Sequence, residues 1–196
     1  MKIIDIIKEA KIYGIIREDD PQKAVEIANA YIEGGIKLIE FNCPVDVLAK
    51  FKDKKDILLS QGGVITTAQA EIALKNGASI ISSPIFQANL IRYTTCHNAF
   101  LLPSVTTANE AYATWKSRIA LTKIYPVAEM GGVEYIKDIV RPMPFLSLMP
   151  CGFVKIEDIK AYLNAGAVAV AIGREFYQKE SYHEIVKTVK EAIKTI

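Results

Sequence analysis

Short runs of apolar, often β-branched residues alternate along this chain with stretches whose apolar positions recur every three or four residues. The first pattern is that of strands buried on both faces, the second that of amphipathic helices. An opening helical stretch, MKIIDIIKEA, leads to IYGIIR (12–17), after which Asp20-Pro21 supplies an N-cap and a proline at the first helical position. The helix QKAVEIANAYIEGG then ends at Gly34-Gly35, as a left-handed cap would end it.

The unit repeats. KLIEFN leads to a helix from about Val45, ILLSQGGVI to TAQAEIALKNG, SIISSPI to QANLIRYTT, and FLLPSV to ANEAYATWKS. RIALTKIYP then leads to GGVEYIKDIV, FLSLMP to KIEDIKAYLNAG, and VAVAIG to SYHEIVKTVKEAIK. About eight strand-helix units predict an α/β protein, a small (β/α)8 TIM barrel with an extra N-terminal helix, at roughly 25 residues per unit. No Pro-, Gly- or Ser-rich linker interrupts them, so residues 1–196 read as a single barrel domain. An open doubly wound sheet would usually have fewer strands.

Composition narrows the function classes. With 51% hydrophobic residues the chain has ample material for a core, and a formal charge of +2 without a basic stripe argues against nucleic acid. No run approaches the roughly 20 apolar residues of a membrane span, and no export signal is read at the start, which points to a cytoplasmic protein. Three widely spaced cysteines, Cys43, Cys96 and Cys151, suggest neither a disulfide framework nor a metal site, and only His97 and His183 are present to serve a triad. No metal and no cofactor is expected.

In a barrel of this kind chemistry gathers where strands end and loops into helices form the mouth. Lys123 ends the sixth strand inside an apolar run, and Glu40 lies in the second, roughly opposite. If both face inward among residues such as Leu38 and Leu121, an amine and a carboxylate converge, as imine chemistry requires. A snorkelling lysine or a structural ion pair is the competing reading.

These residues also carry a resemblance. KIYPVAEMGG resembles the lysine segment K-x-F-P-A-E-x-x-G-G of the 2-keto-3-deoxy-6-phosphogluconate (KDPG) / 4-hydroxy-2-oxoglutarate (KHG) aldolase family. GIIREDDPQKAVEIANAYIEGGIKLIEFN is similar to that family's opening through its I-E-V-T glutamate, GGVITTAQAEIALKNGASIISSP to its G-T-V-L-T to S-P stretch, and LPSVTTANEA to its P-G-V-x-T-x-x-E. The likeness runs in register from about Ile12 to Arg174. It implies a class I aldolase in a homotrimeric barrel, with Lys123 as the Schiff-base lysine and Glu40 as the proton shuttle. The implied reaction forms or cleaves a 2-keto-4-hydroxy acid, giving pyruvate or glyoxylate plus an aldehyde or keto acid.

The substrate shell departs from the family. Pro44 stands where the family has an arginine, Gly63 where it has threonine, Ile85 where it has glycine, and Phe153 in the second place of a Gly-Gly pair. Substrate-binding candidates are Arg17, Gly62, Gly63, Pro84, Cys151, Gly152, Gly173 and Arg174, the last in place of a phosphate-contacting serine. Arg17 could instead pair with Glu18, Asp19 or Asp20, and Arg174 with Glu175. Cys43 and Cys151 read as buried fillers rather than nucleophiles, and Trp115 and Tyr125 as packing residues, Tyr125 outside the lumen. A small keto acid is thus the expected partner. A non-catalytic or repurposed ligand-binding barrel that has lost this shell is the alternative, and an isomerase or synthase using Lys123 only as a charge is a third reading.

Overall fold

The computed structural model describes residues 2–196, leaving Met1 outside the described residues. Eight parallel strands follow in chain order: β1 (Ile12–Ile16), β2 (Leu38–Phe41), β3 (Leu58–Gln61), β4 (Ile80–Ser83), β5 (Phe100–Val105), β6 (Thr122–Ile124), β7 (Leu148–Pro150) and β8 (Val170–Ile172). Parallel pairing joins every neighbour from β8 through β1 to β7. The remaining seam is bridged where the Val168 N–H donates to the Leu148 carbonyl at 2.9 Å. The result is a nearly closed (β/α)8 barrel.

Ten helices accompany the strands among the described residues: α1 (Ile3–Ala10), α2 (Pro21–Gly34), α3 (Val45–Ala49), α4 (Thr67–Lys75), α5 (Ala88–Cys96), α6 (Ala108–Lys116), α7 (Gly132–Val140), α8 (Ile159–Asn164), α9 (Arg174–Tyr177) and α10 (Tyr182–Lys194). Local signals explain their ends. The Asp20 carboxylate accepts from the Gln22 N–H at 2.8 Å, Pro21 occupies N1, and Gly35 closes α2 at φ 103°. Thr66 with Gln69 and Thr107 with Glu110 form capping boxes that start α4 and α6.

Strands are shorter than the apolar runs that predict them, and two stretches differ more clearly from the sequence reading. The run RIALTKIYP is not strand throughout: Arg118 takes φ 59° and the Ile119 N–H donates back to Thr114 at 3.1 Å, so its start caps α6 and only Thr122–Ile124 pairs as β6. Residues 174–177, to which the sequence reading assigned no element, make the single turn α9.

Two cores result from strand alternation. Ile16, Ile39, Phe41, Ile81 and Ile124 face outward and pack with the helix layer. Tyr13, Leu38, Ile80, Leu102, Leu121 and Met149 face the lumen, and Ile7 of α1 joins them from below, so the extra helix closes the barrel's amino end. On the outside α10 packs on α2, a consequence of β8 lying beside β1.

Candidate active site

The alternation that sends Ile39 and Phe41 outward turns Leu38 and Glu40 inward, and the same parity in β6 turns Leu121 and Lys123 inward. Lys123 is 2% exposed and Glu40 4%, and the Lys123 Nζ donates to the Glu40 Oε2 across the lumen. This lysine does not snorkel. Nζ also donates to the Ser82 Oγ of β4 at 2.9 Å, and the Asn42 Nδ2 donates to the other Glu40 oxygen at 2.8 Å. The Tyr13 ring lies beneath, its centroid 5.1 Å from Nζ. Burial pushes the Glu40 carboxyl upward, but the charge and hydrogen bond of Lys123, with help from Asn42 and Ser82, hold it below its ordinary value.

Such a pair is unfavourable to bury for its own sake, since desolvating two ions costs about as much as their attraction returns. Here each charge has a second hydrogen-bond partner, so amine and carboxylate are held within proton-transfer reach.

Around them the remaining candidates all fall at the carboxyl ends of strands. Arg17 follows β1 and is exposed, with no carboxylate within ion-pair distance among the described residues; Glu18, its expected competitor, accepts from the Asp20 N–H at 3.1 Å instead. Gly62 and Gly63 follow β3. A Cβ on Gly62 would fall 2.3 Å from the Asn42 Oδ1, so only glycine leaves room for the side chain that holds Glu40. Pro84 follows β4 and is exposed, and Gly173 and Arg174 follow β8, with Arg174 exposed and without the ion pair to Glu175 that would have tied it down.

Cys151 and Gly152 follow β7. Cys151 is buried, and burial pushes its thiol up to about 11 despite the nearby Lys123. Gly152 has φ 97°, and a Cβ there would meet the Pro126 backbone at 2.9 Å, so this turn admits glycine alone. Phe153 beside it also takes a positive φ, 54°, and is 66% exposed at the rim. Tyr125, expected to pack away from the lumen, is 43% exposed and rests against Gly152 at the same rim.

Other residues of interest lie elsewhere. Cys43, half-buried after β2, has its thiol pushed up to about 12 by burial and by Asp46 and Glu18. His97 stacks on Tyr93 at the end of α5, His183 lies in α10, and Trp115 packs on Phe145 at the barrel's amino end. Among the described residues no cluster of His, Cys, Asp and Glu could hold a metal ion, and no helix is long and apolar enough to cross a membrane.

The sequence reading missed Asn42, Ser82, Tyr13 and Ser60, all close to the pair. Parity selects them only once register is known: Glu40 pairs with Ser60 in β3, and counting by two from an inward residue in each strand then picks them out.

The likeness to known proteins extends over nearly the whole chain. A family model described as KDPG and KHG aldolase matches residues 3–190. A 2-dehydro-3-deoxy-phosphogluconate aldolase of Haemophilus influenzae is 24% identical over the whole of this chain and 97% of its own length. Among solved structures, the KDPG aldolase of Legionella pneumophila with pyruvate captured as a covalent carbinolamine superposes with a TM-score of 0.86 at 22% identity, covering 97% of this chain and 98% of that one. The 2-keto-3-deoxy-6-phosphogluconate aldolase of Zymomonas mobilis with 3-phosphoglycerate gives 0.87 at 22% identity, covering 98% and 95%. At these identities the structural likeness establishes a shared fold.

Proposed function

The chain belongs to the KDPG and KHG aldolase family, and from that premise we propose that it is a class I aldolase acting on a short 2-keto-4-hydroxy acid, with Lys123 forming the imine and Glu40 moving the protons. The observation that carries the proposal is the buried contact between Lys123 of β6 and Glu40 of β2, two groups brought from opposite sides of the lumen.

The chemistry follows from the contact. Glu40 takes a proton from the ammonium, freeing the Nζ lone pair to attack the keto carbon; that proton and one of the two left on nitrogen pass by way of Glu40 to the carbinolamine oxygen, which leaves as water. The resulting iminium withdraws electrons. When Glu40 removes the proton of the C4 hydroxyl, the C3–C4 bond breaks, its electron pair enters the enamine, and an aldehyde or keto acid leaves. Protonation of the enamine at C3 and hydrolysis of the iminium release pyruvate and restore the amine. Ser82, accepting from Nζ, fixes the angle of attack. Arg17, exposed and unpaired at the rim, is suited to the substrate carboxylate or to a more distant anion.

Reductive trapping tests the proposal. Incubation with pyruvate and borohydride should add a reduced pyruvyl group to Lys123, mapped by peptide mass, and the Lys123→Ala protein should remain unlabelled. A folded wild-type protein that gains no adduct, or gains it elsewhere, would refute the imine mechanism. The proposal extends to a cytoplasmic homotrimer, and light scattering after size exclusion checks the assembly.

A further inference from the structure

Two fully buried hydroxyls lie in the lumen beside the pair with no partner of their own. Tyr13 of β1 and Ser60 of β3 are both 0% exposed, and neither the Tyr13 Oη nor the Ser60 Oγ makes a hydrogen bond. An interior hydroxyl left unpaired lowers stability, so its retention calls for a reason.

Register supplies their location. Glu40 pairs with Ile15 on one side and Ser60 on the other, and Tyr13 lies one inward position below Ile15. The two hydroxyls therefore flank Glu40 from neighbouring strands, and the Tyr13 phenol lies near enough to Ser60 and Glu40 for both to act on it, although neither approach closes to hydrogen-bond length. Its ring lies under Nζ, where an aromatic face favours a cation.

We propose that Tyr13 is a positioning residue acting through Glu40: its hydroxyl, unpartnered at rest, donates to the Glu40 carboxylate once Lys123 is bound up as the imine. The inference rests on the imine reading above. At rest Glu40 accepts from Lys123 and from Asn42. Bonding of Nζ to the keto carbon replaces an ammonium with three N–H donors by an iminium with one. An acceptor site on Glu40 is then vacated at the stage where this carboxylate must act as a base. A donor waiting beside it keeps the carboxylate ionised and aimed, an interaction made during turnover and absent in the resting protein.

The groups facing Glu40 support this assignment. Tyr13 comes from β1, Asn42 from the end of β2, Ser60 from β3, Ser82 from β4, Lys123 from β6 and Cys151 from the end of β7. Of these, Tyr13, Lys123 and Cys151 carry ionisable groups. The Cys151 thiol is pushed up to about 11 by burial, with the Arg17 charge also reaching it, and is neutral through the working range. Burial and the Glu40 charge keep the Tyr13 phenol protonated well above the usual tyrosine range, so it remains a donor.

The test is Tyr13→Phe, which removes the hydroxyl and keeps the ring. Borohydride trapping with pyruvate is measured first, then exchange of the pyruvate methyl protons for deuterium by NMR as a function of pH, then the melting temperature. The variant is expected to trap pyruvate on Lys123 and to melt no lower than wild type. Its acid limb of exchange should move up by about one pH unit and its maximum rate fall about tenfold, the effect of one hydrogen bond to a charged group. A profile superimposable on wild type overturns the proposal. So does slower exchange at every pH with no movement of the limb, which is the signature of a structural role. Failure of the variant to fold overturns it as well, because a hydroxyl without a partner at rest cannot be required for folding. Absence of trapping in wild type removes the imine reading and this inference together, whereas trapping with an unchanged profile removes this inference alone.

Discussion

Replacing Lys123 with methionine keeps an unbranched apolar stem in the lumen and removes the ammonium, leaving Glu40, 4% exposed, with Asn42 as its remaining hydrogen-bond donor. Removing one member of a buried pair typically costs about 3–5 kcal/mol, because the other charge remains desolvated. For a chain of this size each kcal/mol is worth roughly 2–4 °C, so the melting temperature near neutral pH should fall by about 6–20 °C. The pH dependence is more diagnostic than the loss itself. In wild type the Glu40 carboxyl is held below its ordinary value of 4.5, so the pair's contribution is complete above that value and is lost as pH falls through the folded one. Without the lysine, burial, the largest influence on this carboxyl, outweighs the remaining hydrogen bonds of Asn42 and Ser82 and raises it. The folded variant then binds a proton that the unfolded chain has released, and its stability falls as pH rises. Urea unfolding followed by circular dichroism at about pH 5 and about pH 8 should give a variant more stable at the lower pH, a trend wild type does not share through this group. Adding Glu40→Gln should restore most of the loss and flatten the slope, the non-additivity expected of a contacting pair. A Lys123→Met protein as stable as wild type at about pH 8, with no added slope, would show that the carboxylate is solvated and would refute the reasoning.

Three further outcomes follow from the packing and the rim. Iodoacetamide at about pH 8 should alkylate the exposed Cys96 while sparing Cys43 and Cys151, whose thiols burial pushes up to about 12 and about 11; peptide mapping that finds Cys151 modified first would contradict its burial. Gly34→Ala should destabilise by about 1–3 kcal/mol in urea unfolding, since the new Cβ would fall 2.4 Å from the Val189 Cγ1 where α10 crosses α2, and Val189→Ala in the same protein should recover part of it. Arg17→Ala should leave stability within about 0.5 kcal/mol, having no ion-pair partner to lose, but raise KM for a keto acid about tenfold with kcat little changed; an unchanged KM would remove Arg17 from the substrate site.

The barrel was legible because its signals are local. Asp20-Pro21 and Gly34-Gly35 bracket α2 wherever the helix packs, and the β-branched runs mark the strands. The pair was legible because charge inside an apolar run is rare. Tyr13, Ser60 and Ser82 were not, because IYGIIR, ILLSQ and SIISS are apolar on both faces of each strand and carry no mark of which parity faces the lumen. That parity is set by pairing with neighbours far along the chain, Ile15 with Glu40 and Glu40 with Ser60, a relation that propensity does not encode. The start of RIALTKIYP misled for a related reason: its apolar residues suit a strand, but the φ of 59° at Arg118 serves the end of α6, and a helix cap outranks propensity there.

Pair and rim also differ in what holds them, and this separates chemistry from substrate choice. Lys123 and Glu40 sit within paired strands, their heights in the lumen fixed by ladder register with Ser104, Met149, Ile15 and Ser60. Pro44, Gly63, Ile85 and Phe153 sit two or three residues beyond the last paired residue, in loops that can change without shifting that register. Those four positions can therefore differ from the family pattern while the amine and carboxylate stay in contact. Ile85, 46% exposed, and Phe153, 66% exposed at a positive φ, set apolar groups at the rim, so the side of the mouth carrying them is poorly suited to a phosphate, while unpaired Arg17 and Arg174 leave positive charge at the ends of β1 and β8. A substrate oriented by this mouth would direct its anionic end toward β8 and β1 and an uncharged end toward β4 and β7. Exchange of Phe153 for glycine should accordingly change which aldehyde is accepted in the condensation direction and leave the yield of trapped pyruvate on Lys123 unaltered; a loss of trapping would mean that the rim and the pair are coupled after all.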